Sequence, residues 1–408
     1  MDPDTTGTTP VPLTLISGLL PEATADLAEQ VRAARPGTAV VHHDLRAIDR
    51  GIVRRRLRFG GRDETTVLEL AHGCVSCTLR EDLLPLLRRL ATTDGVRHIT
   101  LHLDEAMEPE PVCWAISHVL VGGAPVSELV TIEGVHTVLD RGSWLADATG
   151  DDTLADRGLQ ASADDERTVA QVALSQAEFA DVLVLTGTTD PWTDAKTAAV
   201  LDRVAPSAPR TSRLSAVPAG ARRGEVTDLH GPLLRGEPPL HADCGVAAMV
   251  FTAQRPFHPQ RLHEALDVLL DGVVRTRGRL WVASQPDVAL WLESAGGGLG
   301  VGHAGPWLDS PSGPKWTDVS PERRTLASLR WHPVHGDRAQ EIFVVTGEAA
   351  PAELDEAFSG ALLTDAELAA GPRTWRTYDD PFGSWHEEPC GDTDRTRDVT
   401  VTSAMEDQ

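Results

Sequence analysis

Residues 11–34 read VPLTLISGLLPEATADLAEQVRAA, and this stretch decides the fold. Val11–Ser17 is a short apolar run, and Gly18 breaks it. Pro21 then stands at a first-turn position with Leu27 and Val31 four apart, so PEATADLAEQVRAA predicts a helix. Strand, glycine turn and helix in this order form the placement of a nucleotide-binding loop, where backbone N–H groups and a lysine hold phosphates.

Working outward, apolar runs at residues 38–41, 65–70, 98–103, 129–132 and 181–185 predict strands. Residues 80–90, 112–120 and the QVALSQAEFA stretch have helical character. Short buried strands alternating with helices imply a doubly wound, mostly parallel sheet covered on both faces, an α/β domain over residues 1–206. Residues 207–245, rich in Pro, Gly, Arg and Ser, read as a linker. Residues 246–390 mix strands and helices without βαβ spacing and predict a smaller α+β domain; residues 391–408 read as a disordered tail. The acidic stretch at residues 149–167 is expected to be an exposed loop.

At 408 residues the chain exceeds the roughly 150 expected of one domain, which fits this division. Its 61 acidic and 37 basic residues leave a formal net charge of −24, which disfavours direct nucleic-acid binding. No apolar run approaches the roughly 18 residues of a spanning helix, and the start MDPDTTGTTP is acidic and polar, so an unexported chain without membrane attachment is expected. Five cysteines, an odd number, argue for a reducing compartment, here the cytoplasm.

The chain contains only two lysines, Lys196 and Lys315, and neither lies in a phosphate-loop motif. From Gly18 the loop position reads GLLPEATAD: Pro21 deletes a backbone donor, Glu22 adds negative charge, and Thr24, Ala25 and Asp26 follow without a cation. A plain strand-to-helix turn is therefore expected, and GTP with Mg²⁺ is not. No G-x-S-x-G motif supports hydrolase chemistry.

The sharpest local signal is His72-Gly73-Cys74-Val75-Ser76-Cys77. Two thiolates in C-x-x-C spacing reach one metal ion, and a histidine two residues earlier adds a nitrogen suited to Zn²⁺. His42, His43 and Asp44 close the preceding strand, and strand ends in a parallel sheet converge on one crevice, so they are candidates for the fourth ligand. A thioredoxin-like redox pair and two packed, unliganded thiols remain the alternatives. Cys113 reads as core and Cys244 as linker; Cys390, four after His386, reads as solvated. Trp281, Trp291, Trp307 and Trp385 supply core mass to the second domain. Arg54, Arg55, Arg56 and Arg58 predict a solvated edge strand; these, or Arg275, Arg277 and Arg279, are alternatively a docking patch.

Gly73-Cys74-Val75-Ser76-Cys77-Thr78-Leu79-Arg80 matches G-C-x-C-C-T-x-R with Ser76 at the middle cysteine. Further matches are Arg255-Pro256-Phe257-His258-Pro259, Arg275-Thr276-Arg277-Gly278-Arg279-Leu280-Trp281, Gly305-Pro306-Trp307, Leu362-Leu363-Thr364-Asp365 and Asp380-Pro381-Phe382-Gly383-Ser384-Trp385. With these motifs the chain, up to about residue 390, resembles the CobW-type metal-associated GTPase family, which joins a phosphate-loop α/β domain to a smaller CobW C-terminal domain. It departs from that pattern at GLLPEATAD, at His43-Asp44 where the family has an Asn-acidic pair, and at HLDEAMEPEP from His102. It departs again at Thr186-Gly187-Thr188-Thr189-Asp190, the guanine-reading region.

Together with EPEPVCWAI, GVVRTRGRLW and WLESAGGGL, these departures resemble an actinobacterial branch that recruits a hibernation-promoting factor to ribosomes under zinc starvation. The resemblance implies zinc responsiveness, and as partners a hibernation-promoting factor and the small ribosomal subunit. The other expectation from the family is a GTP-dependent zinc metallochaperone.

Overall fold

The apolar run at Val11–Ser17 is a strand, β1, and Pro21–Ala34 is a helix, α1, as the pattern predicts. A computed structural model of the chain describes residues 9–70, 74–162, 165–212, 238–269 and 271–383. Most of the expected linker and all of the expected tail lie outside the described residues.

Around β1 the chain adds β2 (Thr38–Ala47), β3 (Ile52–Phe59), β4 (Arg62–Glu69), β5 (His98–His102), the short hairpin β6 (Leu120–Val121) and β7 (Ala124–Pro125), β8 (Val130–Asp140), β9 (Val182–Thr186) and β10 (Arg210–Thr211). Eight of these strands form one sheet in the order β10-β9-β8-β1-β5-β2-β3-β4. From β10 to β2 the pairing is parallel, and β3 and β4 close one end antiparallel. Leu27, Ala28 and Val31 of α1 pack on one face of the sheet against Ile16, Val40, Val138 and Val182. Helices α3 (Leu84–Ala91) and α4 (Pro109–His118) cover the other, placing Leu84, Leu87, Leu90 and Ile116 against Leu15, Val41, Ile99 and Leu101. Each fully buried aliphatic side chain contributes about 1.5–3 kcal/mol, which is why the sheet is doubly wound rather than open on one side.

Three expectations change. The run at residues 129–132 is only the start of β8, which continues through Gly134 to Asp140. β3 is not an edge strand, because it pairs with both β2 and β4. Three of its four arginines are also engaged: Arg55 pairs with Asp82, Arg56 with Asp63 at 2.6 Å, and Arg58 with Glu29, while Arg54 is exposed as expected. The acidic stretch at residues 149–167 is not a free loop, since Leu154 and Ala161 are buried with Ala106, Val169 and Val172.

The second sheet is antiparallel, in the order β11-β15-β12-β13-β14, from β11 (Ala247–Ala253), β12 (Val273–Trp281), β13 (Val288–Ala295), β14 (Gly298–Pro306) and β15 (Gln340–Thr346). Helices α8 (Pro259–Leu266) and α10 (Pro351–Ala361) cover one face, where Leu262, Leu266, Leu354 and Phe358 meet Phe251, Leu280, Ile342 and Val344. Trp281, Trp291 and Trp307 are buried as expected; Trp385 lies outside the described residues.

The other face meets the first domain through helix α6 (Val169–Glu178). Thr168 and Gln171 form a capping box at its start, and the Thr168 hydroxyl donates to the Ala295 carbonyl across the interface (3.0 Å). Gly296 is obligatory there: its φ is +53°, and a Cβ would lie 2.0 Å from the Gly150 carbonyl oxygen. At the other end Glu178 accepts from Arg275 through Nε and Nη2, both at 2.8 Å, and from Arg277 Nη1 at 2.8 Å. Arg275 is fully buried and also pairs with Glu293. Arg275, Arg277 and Arg279 therefore do not form a docking patch; the first two clamp the domains together and the third pairs with Glu341 inside the second sheet.

Glu178→Gln is expected to lower the unfolding free energy by about 3 kcal/mol, because two buried guanidinium groups keep their charge and lose a shared counter-charge. Urea denaturation of the full chain measures this, and a loss below about 1 kcal/mol, the range of exposed pairs, would show that the clamp is not needed.

Candidate metal centre and the closed loop beside it

The turn from β1 to α1 contains only Gly18, Leu19 and Leu20. Gly18 has φ +150°, and a Cβ would lie 2.6 Å from the Val138 carbonyl oxygen, so the chain passes against β8 too closely for another residue. The first turn of α1 follows directly at Pro21. The Thr24 amide donates to the Leu20 carbonyl (3.0 Å). The buried Thr24 hydroxyl lies 3.0 Å from Leu20 O, 3.1 Å from Pro21 O and 2.8 Å from His102 Nε2. Its hydrogen-bonding capacity is used inside the protein. Glu22 occupies the first helical turn, Ala25 is half-buried and Asp26 is exposed, so no cation stands here.

His102, closing β5, pairs in register with His42 of β2, and their rings stack with centroids 4.2 Å apart. His42 Nδ1 donates to the His102 carbonyl (3.1 Å). Burial, and then the neighbouring His42, push His102 down to about 3; burial likewise lowers His42. Both rings are neutral at pH 7. At the end of residues 186–190, Asp190 caps α7 (Pro191–Val204), with one carboxylate oxygen accepting from the Trp192 and Thr193 amides at 3.0 and 3.1 Å.

Beside the closed loop lies the cysteine pair. Cys74 caps the one-turn helix α2 (Val75–Thr78), and its sulfur accepts from the Cys77 amide at 3.3 Å. The two sulfurs are 3.2 Å apart. Thr78 is fully buried, and the chain continues through a π turn at Leu79–Leu83 into α3, whose leucines anchor the segment in the main core. Val75, between the thiols, and Leu19, in the closed loop, pack against the same cluster of Ala106, Leu154, Ala161, Val169 and Val172. Loop position and thiol pair therefore share one apolar support on α6.

His43 and Asp44, adjacent on β2, point to opposite faces of the sheet. His43 is buried and bonds through Nε2 to Asp82 Oδ2 (2.8 Å), while Arg55 holds the other Asp82 oxygen. Burial alone would raise Asp82, but His43 and Arg55 bring it below the usual carboxylate range. His43 Nδ1 is buried without a hydrogen-bond partner among the described residues. Asp44 is gripped by Arg46, at 2.9 and 2.7 Å to its two oxygens. His72 lies outside the described residues. The two sulfur donors suit zinc, and an imidazole oriented by a carboxylate with its other nitrogen unused is a ligand arrangement zinc sites employ. Among the described residues, however, no group of three or more His, Cys, Asp or Glu side chains is placed to hold one ion.

Two residues of this region have no sequence motif. Asp82 follows Cys77 by one helical turn and a half, and its role appears only when β2 and β3 deliver His43 and Arg55 to it. Asp104, just past β5, is buried and accepts from the Leu45 amide (2.9 Å) and the Ala106 amide (3.1 Å), tying together the ends of β2 and β5. Burial, with Glu105 adding to it, pushes Asp104 up to about 7. A single acidic residue ending the run HITLHLD is the only hint the sequence offers.

The family model described as "CobW/HypB/UreG, nucleotide-binding domain" matches residues 24–213, and that described as "Cobalamin synthesis protein cobW C-terminal domain" matches residues 246–362. The protein named Zinc chaperone Rv0106 of Mycobacterium tuberculosis is 45% identical over 399 residues, 93% of this chain and 94% of that protein. The Zinc-regulated GTPase metalloprotein activator 1 of Dictyostelium discoideum is 25% identical over 405 residues, 91% of this chain and 84% of its own. The solved structure of zinc-bound YjiA GTPase from E. coli aligns with 87% of this chain and 100% of its own at 13% identity, with a TM-score of 0.38.

The raised Asp104 gives a signed pH effect. Its folded-state stabilisation is complete below the ordinary carboxylate value of 3.8 and is lost as pH rises through about 7. Asp104→Asn lacks that titration but leaves one backbone amide short of an acceptor, a loss of about 1–3 kcal/mol. The stability gap between native chain and variant is therefore expected to be wider at acid than at alkaline pH across this window. Urea titrations on both sides of neutrality check it; a gap independent of pH would mean that Asp104 stays ionised.

Proposed function

The chain belongs to the CobW family, and from that premise we propose that it is a zinc-responsive regulatory adaptor with a disabled nucleotide site. The observation that carries this reading is Thr24: where a phosphate loop needs open amides and a lysine, a buried threonine is bonded back into α1 and onto His102. Cys74 and Cys77 supply the metal side of the proposal, supported by their spacing, their 3.2 Å approach and the names of the zinc-handling relatives.

Zinc, when bound, supplies a fixed charge centre that ties two thiolates together. The protein's own residues do the rest. With both thiols committed to one ion, Cys74 and the turn of α2 keep a single arrangement. Val75 then stays seated on Val169 and Val172 of α6, the helix whose far end is held by Arg275 and Arg277. Gln176 of the same helix donates to Glu105 O (3.1 Å) and Met107 O (3.0 Å), so the segment after β5 moves with it. Metal occupancy would thereby be read out locally, in the rim surface that Val75, Leu19 and the segment after β5 form against α6.

The partners in this proposal are a hibernation-promoting factor and the small ribosomal subunit. They rest on the motif resemblance alone. A second reading, the GTP-dependent zinc metallochaperone, is favoured by the name of the 45%-identical relative. It requires a triphosphate site, against which stand the absence of a lysine from GLLPEATAD and the buried, internally bonded Thr24.

One purified sample distinguishes the two. Zinc is expected to bind the full chain, and Cys74→Ser with Cys77→Ser to weaken it by more than the ~10–100-fold that loss of an outer-shell group produces, with an unchanged circular dichroism spectrum. GTP at millimolar concentration is expected to show no saturable binding; binding with turnover establishes the chaperone instead. Undiminished zinc binding by the double variant removes the thiols from the site. In zinc-starved cells lacking the chain, ribosome occupancy by the hibernation factor should fall, and unchanged occupancy removes the adaptor role.

A further inference from the structure

We infer that Cys74 and Cys77 are a reversible redox site: when the pair holds no metal, a hydroperoxide converts it to an intramolecular disulfide, and that disulfide keeps zinc out. The inference rests on the zinc reading of the same two thiols and adds the chemistry that regulates it.

The geometry is close to the product. The two sulfurs lie 3.2 Å apart. A disulfide holds its sulfurs at about 2.05 Å, so closure needs an approach of roughly 1.2 Å. The backbone already carries both residues on one helical turn, with Cys74 extended at φ −144° and ψ 157° and Val75–Thr78 helical. Three bonds hold that turn. The Thr78 amide and hydroxyl donate to the Cys74 carbonyl at 3.1 and 3.2 Å, and the Cys77 amide donates to the Cys74 sulfur at 3.3 Å. Thr78 is fully buried, so the turn is anchored to the core at the end next to the second sulfur. Little loop-closure entropy is left for the bond to overcome.

Reach and selectivity follow from placement. Cys74 and Cys77 are half-buried and Ser76 between them is exposed, so a small oxidant arrives from solvent. Cys113 is 1% exposed in the main core, and Cys244 packs against a different cluster, so neither is placed to compete for the pair. Ser76 stands where the motif has a third cysteine. Oxidising the pair therefore removes every sulfur that this motif offers a metal.

The chemistry balances with a hydroperoxide as oxidant. One sulfur, as thiolate, attacks a peroxide oxygen; the O–O bond breaks, an S–O bond forms, and the other oxygen leaves as hydroxide or alkoxide. The second sulfur attacks the sulfenic sulfur; the S–S bond forms, the S–O bond breaks and hydroxide leaves. The two thiol protons convert the leaving groups to water, or to water and an alcohol. Two electrons pass from the sulfur pair to the peroxide. A dithiol reductant reverses the step by exchange, becoming a disulfide itself. Zinc requires thiolate donors, which the disulfide lacks, and thiolates held by zinc must leave the ion before they attack. Metal and disulfide thus exclude each other, and oxidation prolongs the metal-free state.

The test treats the reduced, metal-free full chain with one equivalent of hydrogen peroxide, alkylates it after unfolding in urea, and reads peptides by mass spectrometry. The peptide holding residues 74–77 is expected to lose two hydrogens and to escape alkylation, while Cys113 and Cys244 are alkylated as before treatment. Zinc affinity of the oxidised chain, read with a competing chelator, is expected to fall by more than the ~100-fold upper range for loss of an outer-shell group, and dithiothreitol to restore it. Preloading with zinc should slow disulfide formation at least about 10-fold. In Cys74→Ser and in Cys77→Ser the remaining thiol should stop at a sulfenic acid that dimedone traps. Thiols that stay alkylatable in a chain that binds zinc overturn the inference and leave the zinc reading standing. A disulfide to Cys113, to Cys244 or between chains overturns it, as does an oxidised chain that binds zinc undiminished. Absence of zinc binding by the reduced chain overturns the exclusion together with the zinc reading, and the lost hydrogens still register the disulfide separately.

Discussion

The charged part of the joint between the two domains converges on one carboxylate. Glu178 stands at the C-terminal end of α6, where the helix dipole opposes a negative charge, and it is held there because Arg275 and Arg277 of β12 close on it from the second sheet. A fully buried guanidinium is tolerable only when it is paired, so the position of the C-terminal sheet is fixed by the position of this helix end. The other end of α6 is pinned by Thr168 on the Ala295 carbonyl and by the close approach of Gly296 to Gly150. The helix is thus held at both ends against the second sheet, and Val246, Val274 and Val345 of the second domain share one buried cluster with Ala170 of α6 and Ala199 and Val200 of α7.

The same helix backs the rim where the strands of the first sheet end. In a sheet of this kind the crevice at the strand ends normally carries the ligand, and its loops are free to follow that ligand's chemistry. Here several polar groups at that rim bond to other groups of the chain. Thr24 satisfies its hydroxyl on α1 and His102, Asp104 satisfies both oxygens on backbone amides of neighbouring strand ends, and Asp190 caps α7. Each is a polar group at a position where nucleotide chemistry is expected, and each now contributes internal hydrogen bonds that hold the rim closed. Gln176 and Arg167 complete the closure by bonding to carbonyls of the segment after β5. The rim is held by the protein's own polar groups.

Much of this was legible in the residues, and the failures have physical causes. The β1–α1 unit, the parallel sheet and the damaged phosphate loop follow from periodicity, from Gly18 and Pro21, and from the shortage of lysine, all local properties. The β13–β14 hairpin was not foreseen, because the glycines of SAGGGLGVGHAG conceal its alternation, and β8 was truncated by Gly134. The arginines of β3 and β12 read as surface, since Arg is seldom buried and its partners, Asp82, Glu29 and Glu178, lie far away in the chain. The thiol pair was visible as a motif. The His43–Asp82–Arg55 contact was only half visible, because His43 was singled out for its strand end, and its orientation comes from a helix and a neighbouring strand.

What remains at the rim to change state is the segment that begins at Cys74. It is a single helical turn followed by a π turn at Leu79–Leu83, a spacing that interrupts regular helical hydrogen bonding and recurs at functional positions. Downstream, α3 is fixed by its buried leucines; upstream, β4 is exposed along nearly its whole length and constrains little. A ligand shifts such a segment only by the difference in its affinity for two arrangements, so the segment must have an alternative that is close in energy. Two sulfurs 3.2 Å apart in a one-turn helix are where such a ligand would act on the segment. On the proposed reading, sensing is assigned to this irregular part of the rim, and α6, fixed to both sheets, is the rigid support against which it would rearrange.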